Sequence, residues 1–137
     1  ALAEADVVCC ATSAATPLFD DADVRPGTHI NGVGAFTPAL AEVPPATIAR
    51  AYVAVDQVAA AWAEAGDLIQ ARDAGALDPA RIVELGAIVA GHAPGRSDAA
   101  QITFFKSVGN AVQDMAVGQL ALAEARRLGL GTEVALR

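Results

Sequence analysis

Residues 27–42 read Gly27-Thr28-His29-Ile30-Asn31-Gly32-Val33-Gly34-Ala35-Phe36-Thr37-Pro38-Ala39-Leu40-Ala41-Glu42, a strand-type run that ends in a glycine-hinged loop. The carboxyl end of a strand is where α/β proteins meet their ligands. On its own the loop is a weak signal: Gly32 and Gly34 make only a GxG, and Thr37 stands where a third glycine of a dinucleotide-binding turn would fall.

The flanking chain gives it context. Upstream, Asp6 to Ala11 is a continuous apolar run closed by Thr12-Ser13 and Pro17, as expected of a parallel strand covered on both faces. The link to the strand at Thr28 to Val33 is too short for a full crossover helix, so one or two helical turns at most are expected around residues 17–23. Downstream, Pro44-Pro45-Ala46-Thr47 starts a short helix and Ala51 to Asp56 forms a third strand. Val58, Ala61, Trp62, Ala65, Leu68 and Ile69 then recur at helical spacing, with a break at Gly66. Asp78-Pro79 reads as the cap and first-turn proline of a helix over Ala80 to Val89, ended by Gly91. After a turn-rich loop, Gln101 to Lys106 reads as a fourth strand. A long helix follows from Asn110 to Leu128, with Val112, Met115, Ala116, Leu120 and Ala123 on one side and Gly129 as its stop. This alternation predicts an α/β fold, with a mainly parallel sheet flanked by helices and a long carboxyl-terminal helix.

Composition narrows the function. The 137 residues carry a net charge of −7 and an apolar fraction of 54%, with a mean hydropathy of +0.40. The apolar excess is mostly alanine, and only six residues are aromatic, so small-residue packing is expected. Nine scattered Lys and Arg residues argue against nucleic acid or an anionic membrane as partner. No run approaches the ~18 apolar residues of a spanning helix, so a soluble, cytoplasmic protein is the expectation. Cys9 and Cys10 are neighbours on a strand and point to opposite faces. They are read as two small buried hydrophobes, and without further Cys or grouped His no metal-site spacing exists. The chain opens on Ala1-Leu2-Ala3-Glu4-Ala5-Asp6, which reads as a helix tail entering a strand. It is therefore expected to be a fragment or subdomain of something longer.

Three motifs now stand at three strand ends. They are Ala5-Asp6-Val7-Val8 to Ala11-Thr12-Ser13, then Pro26 to Ala35, then Ile102 to Gly109 with Gln113-Asp114. In this order, with Glu42, Val55-Asp56, Glu64-Ala65-Gly66-Asp67 and Gly95-Arg96 between them, the sequence resembles the ornithine cyclodeaminase/mu-crystallin family over essentially its whole length. The resemblance implies a partial Rossmann-type sheet, with residues 1–137 as the carboxyl-terminal portion of an NAD(P)-binding domain. The amino-terminal substrate and dimerisation domain and the glycine-rich pyrophosphate loop lie outside it. It also implies NAD or NADP as cofactor, a small imino, amino or oxo acid as substrate, and a homodimer.

Residue by residue, the resemblance places Thr12, Val33, Gly34, Ala35 and Ser107 at the cofactor and Val108 near the substrate. Where cyclodeaminases of the family carry an aspartate as acid/base, two residues after the second glycine, this chain has Phe36. A phenyl ring cannot carry a proton, so the catalytic acid is unassigned and Phe36 is only substrate-proximal. The family's lysine four residues further on is replaced by Leu40. These departures favour reduction of a small cyclic ketimine, or interconversion of an amino acid and a 2-oxo acid, over cyclodeamination of ornithine. A non-catalytic NADPH-binding protein of crystallin type is a further alternative, and the isolated chain is expected to be inactive.

Each residue also has a plainer reading. Thr12 and Ser13 can cap the following turn, and Ser107 can cap the long helix. Asp114 reads as a structural carboxylate, His29 as a packed or edge histidine, His92 and Arg96 as parts of a surface turn, and Lys106 as a solvated strand-end lysine.

Overall fold

Alternation along the strands decides which side of the sheet becomes the core. In the strand His29–Gly32 (β2), Ile30 and Gly32 are buried while His29 and Asn31 are half-covered on the other face. The strand Thr103–Lys106 (β5) repeats this pattern, with Phe104 and Lys106 inward. The structure, a computed structural model, describes residues 2–134. Its remaining strands are Val7–Cys10 (β1), Tyr52–Val55 (β3) and Val83–Glu84 (β4). Its helices are Pro45–Arg50 (α1), Val58–Glu64 (α2), Gly66–Asp73 (α3), Leu85–Val89 (α4) and Ala111–Leu128 (α5).

The five strands are all parallel, in the order β1-β2-β5-β3-β4. The last strand in sequence is thus inserted at the centre. Its register aligns the carboxyl ends of all five strands in one row, Cys10, Gly32, Lys106, Val55 and Glu84, so that the loops following them emerge together. Ile30, Phe104, Val53 and Val55 pack with Ile48 of α1 and Leu68 of α3 in one buried cluster. The β1–β2 link contains only a 3-10 turn, Asp21–Asp23. It is fastened to α1 through the Asp21 carboxylate, which accepts from Thr47 Oγ1 and Arg50 Nε, each at 2.8 Å.

Two expectations are corrected. Asp78-Pro79 does not start a helix running to Val89. Asp78 caps the 3-10 turn Pro79–Arg81, accepting from Ala80 N at 2.9 Å, and Val83–Glu84 then pairs with Ala54 and Val55 as a fifth strand before α4 begins. An Asp-Pro start serves a 3-10 turn as well as an α-helix, and the open edge of β3 satisfies the backbone that follows. Cys10 is buried as expected, but Cys9 is exposed, because among the described residues nothing covers that face at the β1 edge. The apolar side of α5 is likewise uncovered: Val112, Met115 and Leu120 are all exposed. The helix ends were read correctly. The Asn110 side chain accepts from Val112 N at 3.2 Å, and Gly129 closes the helix at φ +66.

Candidate functional site

The row of strand ends brings the three sequence motifs to one rim of the sheet. Thr12 follows β1, Val33 to Phe36 follow β2, and Ser107-Val108 follow β5, on three strands that neighbour one another. Val33 and Phe36 are exposed, at 44% and 50%, whereas Gly34 and Ala35 are buried beneath them. The exposed side chains give the rim an apolar surface, and the buried glycine and alanine hold the loop down.

A buried carboxylate does the holding. Glu42 is fully buried, and its Oε1 accepts from Thr12 N at 2.5 Å and Thr12 Oγ1 at 2.8 Å. Its Oε2 accepts from Gly34 N at 2.8 Å and Ala35 N at 3.2 Å. Gly34 must be glycine here. A Cβ at that position would sit 2.1 Å from the Thr12 carbonyl oxygen and 2.3 Å from Glu42 Oε1. Thr12 also fulfils its plainer role, its Oγ1 accepting from Ala14 N at 3.2 Å.

Behind Glu42 stands a second buried pair. Asp67, in the first turn of α3, accepts from Glu42 N at 2.6 Å and Val43 N at 3.0 Å through Oδ1, and its Oδ2 faces Lys106 Nζ at 3.4 Å. Asp67 Oδ2 and Lys106 Nζ are both buried and neither makes a hydrogen bond. Burial outweighs the two backbone donors and the Lys106 charge, and holds the Asp67 carboxyl above its ordinary range. The reading of Lys106 as a solvated strand-end residue is therefore corrected. β5 is the central strand, so its core-facing end lies under α3 and not in solvent. Gly32 leaves room for it, since a Cβ there would meet the Phe104 ring at 2.8 Å and the Lys106 stem at 3.4 Å.

Asp56, at the end of β3, does for the third motif what Glu42 does for the first two. It accepts from Ser107 Oγ at 2.8 Å and Val108 N at 3.3 Å through Oδ2, and from Gln57 N at 2.8 Å through Oδ1. The Ser107 hydroxyl proton is thereby committed to Asp56, and its oxygen also accepts from Gly109 N at 3.2 Å. A hydroxyl oxygen can accept twice, so Ser107 retains one acceptor position. Helix α5 is capped by Asn110, not by Ser107. The Val108 side chain packs against the core.

The remaining candidates lie apart from this rim. On the sheet face away from the core, a groove of about 570 Å³ is lined by His29, Asn31, Tyr52, Arg96 and Phe105 among others. There Thr103 Oγ1 accepts from Arg96 at 3.0 Å and hydrogen-bonds His29 Nδ1 at 2.7 Å, while Arg96 also donates to the Gly27 carbonyl at 2.9 Å. His29 is a packed histidine of an inner strand. His92 and Asp114 are exposed. Glu42, Asp56, Asp67 and Lys106 carry the site's polar framework, and none of the four is among the residues expected at the site from sequence. The signal available was an isolated charge inside an apolar run: Leu40-Ala41-Glu42-Val43 for the first and Thr103-Phe104-Phe105-Lys106 for the last.

The family model described as "Ornithine cyclodeaminase/mu-crystallin family" matches residues 1–127. The iminosuccinate reductase of Paracoccus denitrificans is 39% identical over 132 residues, 96% of this chain and 41% of that protein. A Delta(1)-pyrroline-2-carboxylate reductase of Bacillus cereus is 39% identical over 136 residues, 98% of this chain and 42% of that one. Among solved structures, the Thermococcus litoralis Delta(1)-pyrroline-2-carboxylate reductase in complex with NADH and L-proline superposes with a TM-score of 0.87 at 36% identity. That superposition covers 97% of this chain and 42% of the other. The chain thus spans about two fifths of the length of the relatives it matches. No helix among the described residues is long and apolar enough to cross a membrane.

Proposed function

The chain belongs to the ornithine cyclodeaminase/mu-crystallin family, and we propose from that premise that it supplies the nicotinamide end of an NAD(P)-dependent oxidoreductase. The reaction is reduction of a small cyclic ketimine or interconversion of an amino acid and a 2-oxo acid. Residues 1–137 form the carboxyl-terminal portion of the cofactor domain. The substrate and dimerisation domain comes from the remainder of a homodimeric protein.

The observation that carries this reading is the convergence of Thr12, Val33 to Phe36 and Ser107 on one rim, at the point where β5 enters between β2 and β3. Ligands of open parallel sheets bind in the crevice outside the carboxyl ends of the strands. The residues present fit a nicotinamide group. Val33 and Phe36 offer exposed apolar surface to a flat ring, and the free acceptor position of Ser107 suits the N–H of a carboxamide. The cofactor, when bound, supplies the hydride.

The chain's own residues orient and enclose. Thr12, Val33 and Ser107 form the cofactor side of the rim, seated on the buried Gly34-Ala35 backbone, with Phe36 toward the substrate and Val108 beside it through its backbone, its side chain packing on the core. Holding donor and acceptor carbons close and excluding water supply much of the rate in such a transfer. The proton acid comes from outside this chain, because Phe36 occupies the family's carboxylate position and has no titratable group.

The test is turnover by the full-length protein. Pyrroline-2-carboxylate or pyruvate with an amine donor is expected to consume NAD(P)H, with no ornithine-dependent ammonia release. Ammonia and proline formed from ornithine without net NADH would establish cyclodeamination instead. Tight NADPH binding with no turnover across a panel of imino acids would point to a non-catalytic protein.

A further inference from the structure

We propose that Glu42 is a positioning residue that fixes the two cofactor-facing loops before the cofactor arrives. The inference rests on the reading of the rim as a nicotinamide site. Glu42 is fully buried, and the four donors on its carboxylate come from two separate loops: two from Thr12 after β1, and one each from Gly34 and Ala35 after β2. Among the described residues no salt bridge reaches it, since Lys106 faces Asp67. A buried carboxylate without a counter-ion is tolerable only while its hydrogen bonds are intact. Neither loop can shift without leaving the charge partly unsolvated, so the two are locked to one geometry.

The lock extends to the third loop. The Glu42 backbone is itself fixed, its N–H on Asp67 and its carbonyl accepting from Leu18 N at 2.9 Å. Asp67 faces Lys106, which precedes Ser107 in the chain. Thr12, Glu42, Asp67, Lys106 and Ser107 therefore form one connected path beneath the rim.

The same bonds restrict what the loops can recognise. The amides of Thr12, Gly34 and Ala35 and the Thr12 hydroxyl proton all point at Glu42. None of these four donors is left to cradle a phosphate, so at Thr12, Gly34 and Ala35 a ligand is met through side chains, carbonyls and shape. That suits the ring end of a dinucleotide and not its pyrophosphate.

The test compares Glu42→Gln with a core control, Val53→Ala, in the full-length protein. Glutamine keeps the shape, but its amide group brings a donor against donors on one of the two loops. Glu42→Gln is expected to raise KM for NAD(P)H about tenfold or more while kcat changes about threefold or less. Glu42→Asp, too short to span both loops, is expected not to restore it. Val53→Ala, which lowers Tm through a core cavity, is expected to leave the cofactor KM within about twofold.

If Glu42→Gln loses Tm as Val53→Ala does but keeps the wild-type cofactor KM, the inference is overturned. Should Glu42→Gln not fold, amide exchange in the cofactor-free wild type decides. Protection of the Thr12, Gly34 and Ala35 amides before cofactor is added supports a preset site; exchange at unprotected rates until cofactor binds overturns it. A wild-type protein that neither binds nor uses NAD(P)H would overturn the functional reading itself, and is distinguishable because it needs no variant.

Discussion

Gly34 and Glu42 share a space that holds no further atom: the Gly34 amide donates to Glu42 Oε2 at 2.8 Å, and a Cβ on Gly34 would lie 2.3 Å from Glu42 Oε1. The other obstacle at that position, the Thr12 carbonyl at 2.1 Å, is backbone and cannot swing away. Gly34→Ala should therefore destabilise by about 3 kcal/mol or more, at the high end for a single methyl group. Denaturant unfolding of the two proteins checks this, and an unchanged midpoint would contradict the close approach.

Lys106→Met should cost about 3 kcal/mol at neutral pH, because it leaves the buried Asp67 carboxylate without a counter-charge. The sign of the pH dependence follows from Asp67, whose carboxyl is already held above its ordinary value, mainly by burial. A group raised in the folded state favours folding at low pH and loses that contribution as pH rises through its folded value. Removing Lys106 raises it further. The deficit of Lys106→Met should therefore shrink as pH falls and Asp67 takes up a proton, which parallel stability measurements at pH 8 and pH 5 would reveal.

The two cysteines should behave as opposites. Cys9 is exposed and should react with a thiol reagent in the folded protein, while Cys10, buried to 3% exposure, should react only on unfolding. Burial, and then the charges of Glu42 and Asp67, push the Cys10 thiol from 9.0 up to about 11. Its contribution is present in full below pH 9 and is lost as pH rises through 11, about 3 kcal/mol in all. Cys10→Ala should remove that alkaline loss, and urea titrations between pH 8 and 11.5 would show whether it does.

Asp56→Asn should loosen the third loop without unfolding the protein. The amide group cannot accept both the Ser107 hydroxyl and the Val108 amide while turning its oxygen to Gln57. A loss of about 1–2 kcal/mol is expected, with faster exchange at Val108. Unchanged exchange there would show that Ser107-Val108 is held by packing instead.

These residues also mark what could be read from sequence. β1, β2, β3 and β5 were legible from short strand-type runs closed by turn residues, such as Val7-Val8-Cys9-Cys10 ahead of Thr12-Ser13, although the edge strand β1 is covered on one face only. β4 was not, since two residues give no periodicity and the Asp-Pro signal ahead of it fits either kind of helical turn. The positions of Thr12, Gly34 and Ser107 at strand ends were legible from hydroxyls and glycines closing apolar runs. The fate of Lys106 was not, because it depends on β5 lying at the centre and on Asp67 from a distant helix reaching it. Strand order is a long-range property that local pattern does not encode.

The two borders of the sheet differ in their exposure to aggregation. At β4 only Val83 and Glu84 lie along the border before α4 turns the chain away, so little backbone is available to template another strand. At β1 four residues, Val7–Cys10, form the border among the described residues, with Val7 57% exposed and Cys9 bare. Any strand added to this sheet, from its own protein or from a neighbouring molecule in concentrated solution, finds its longer template at β1.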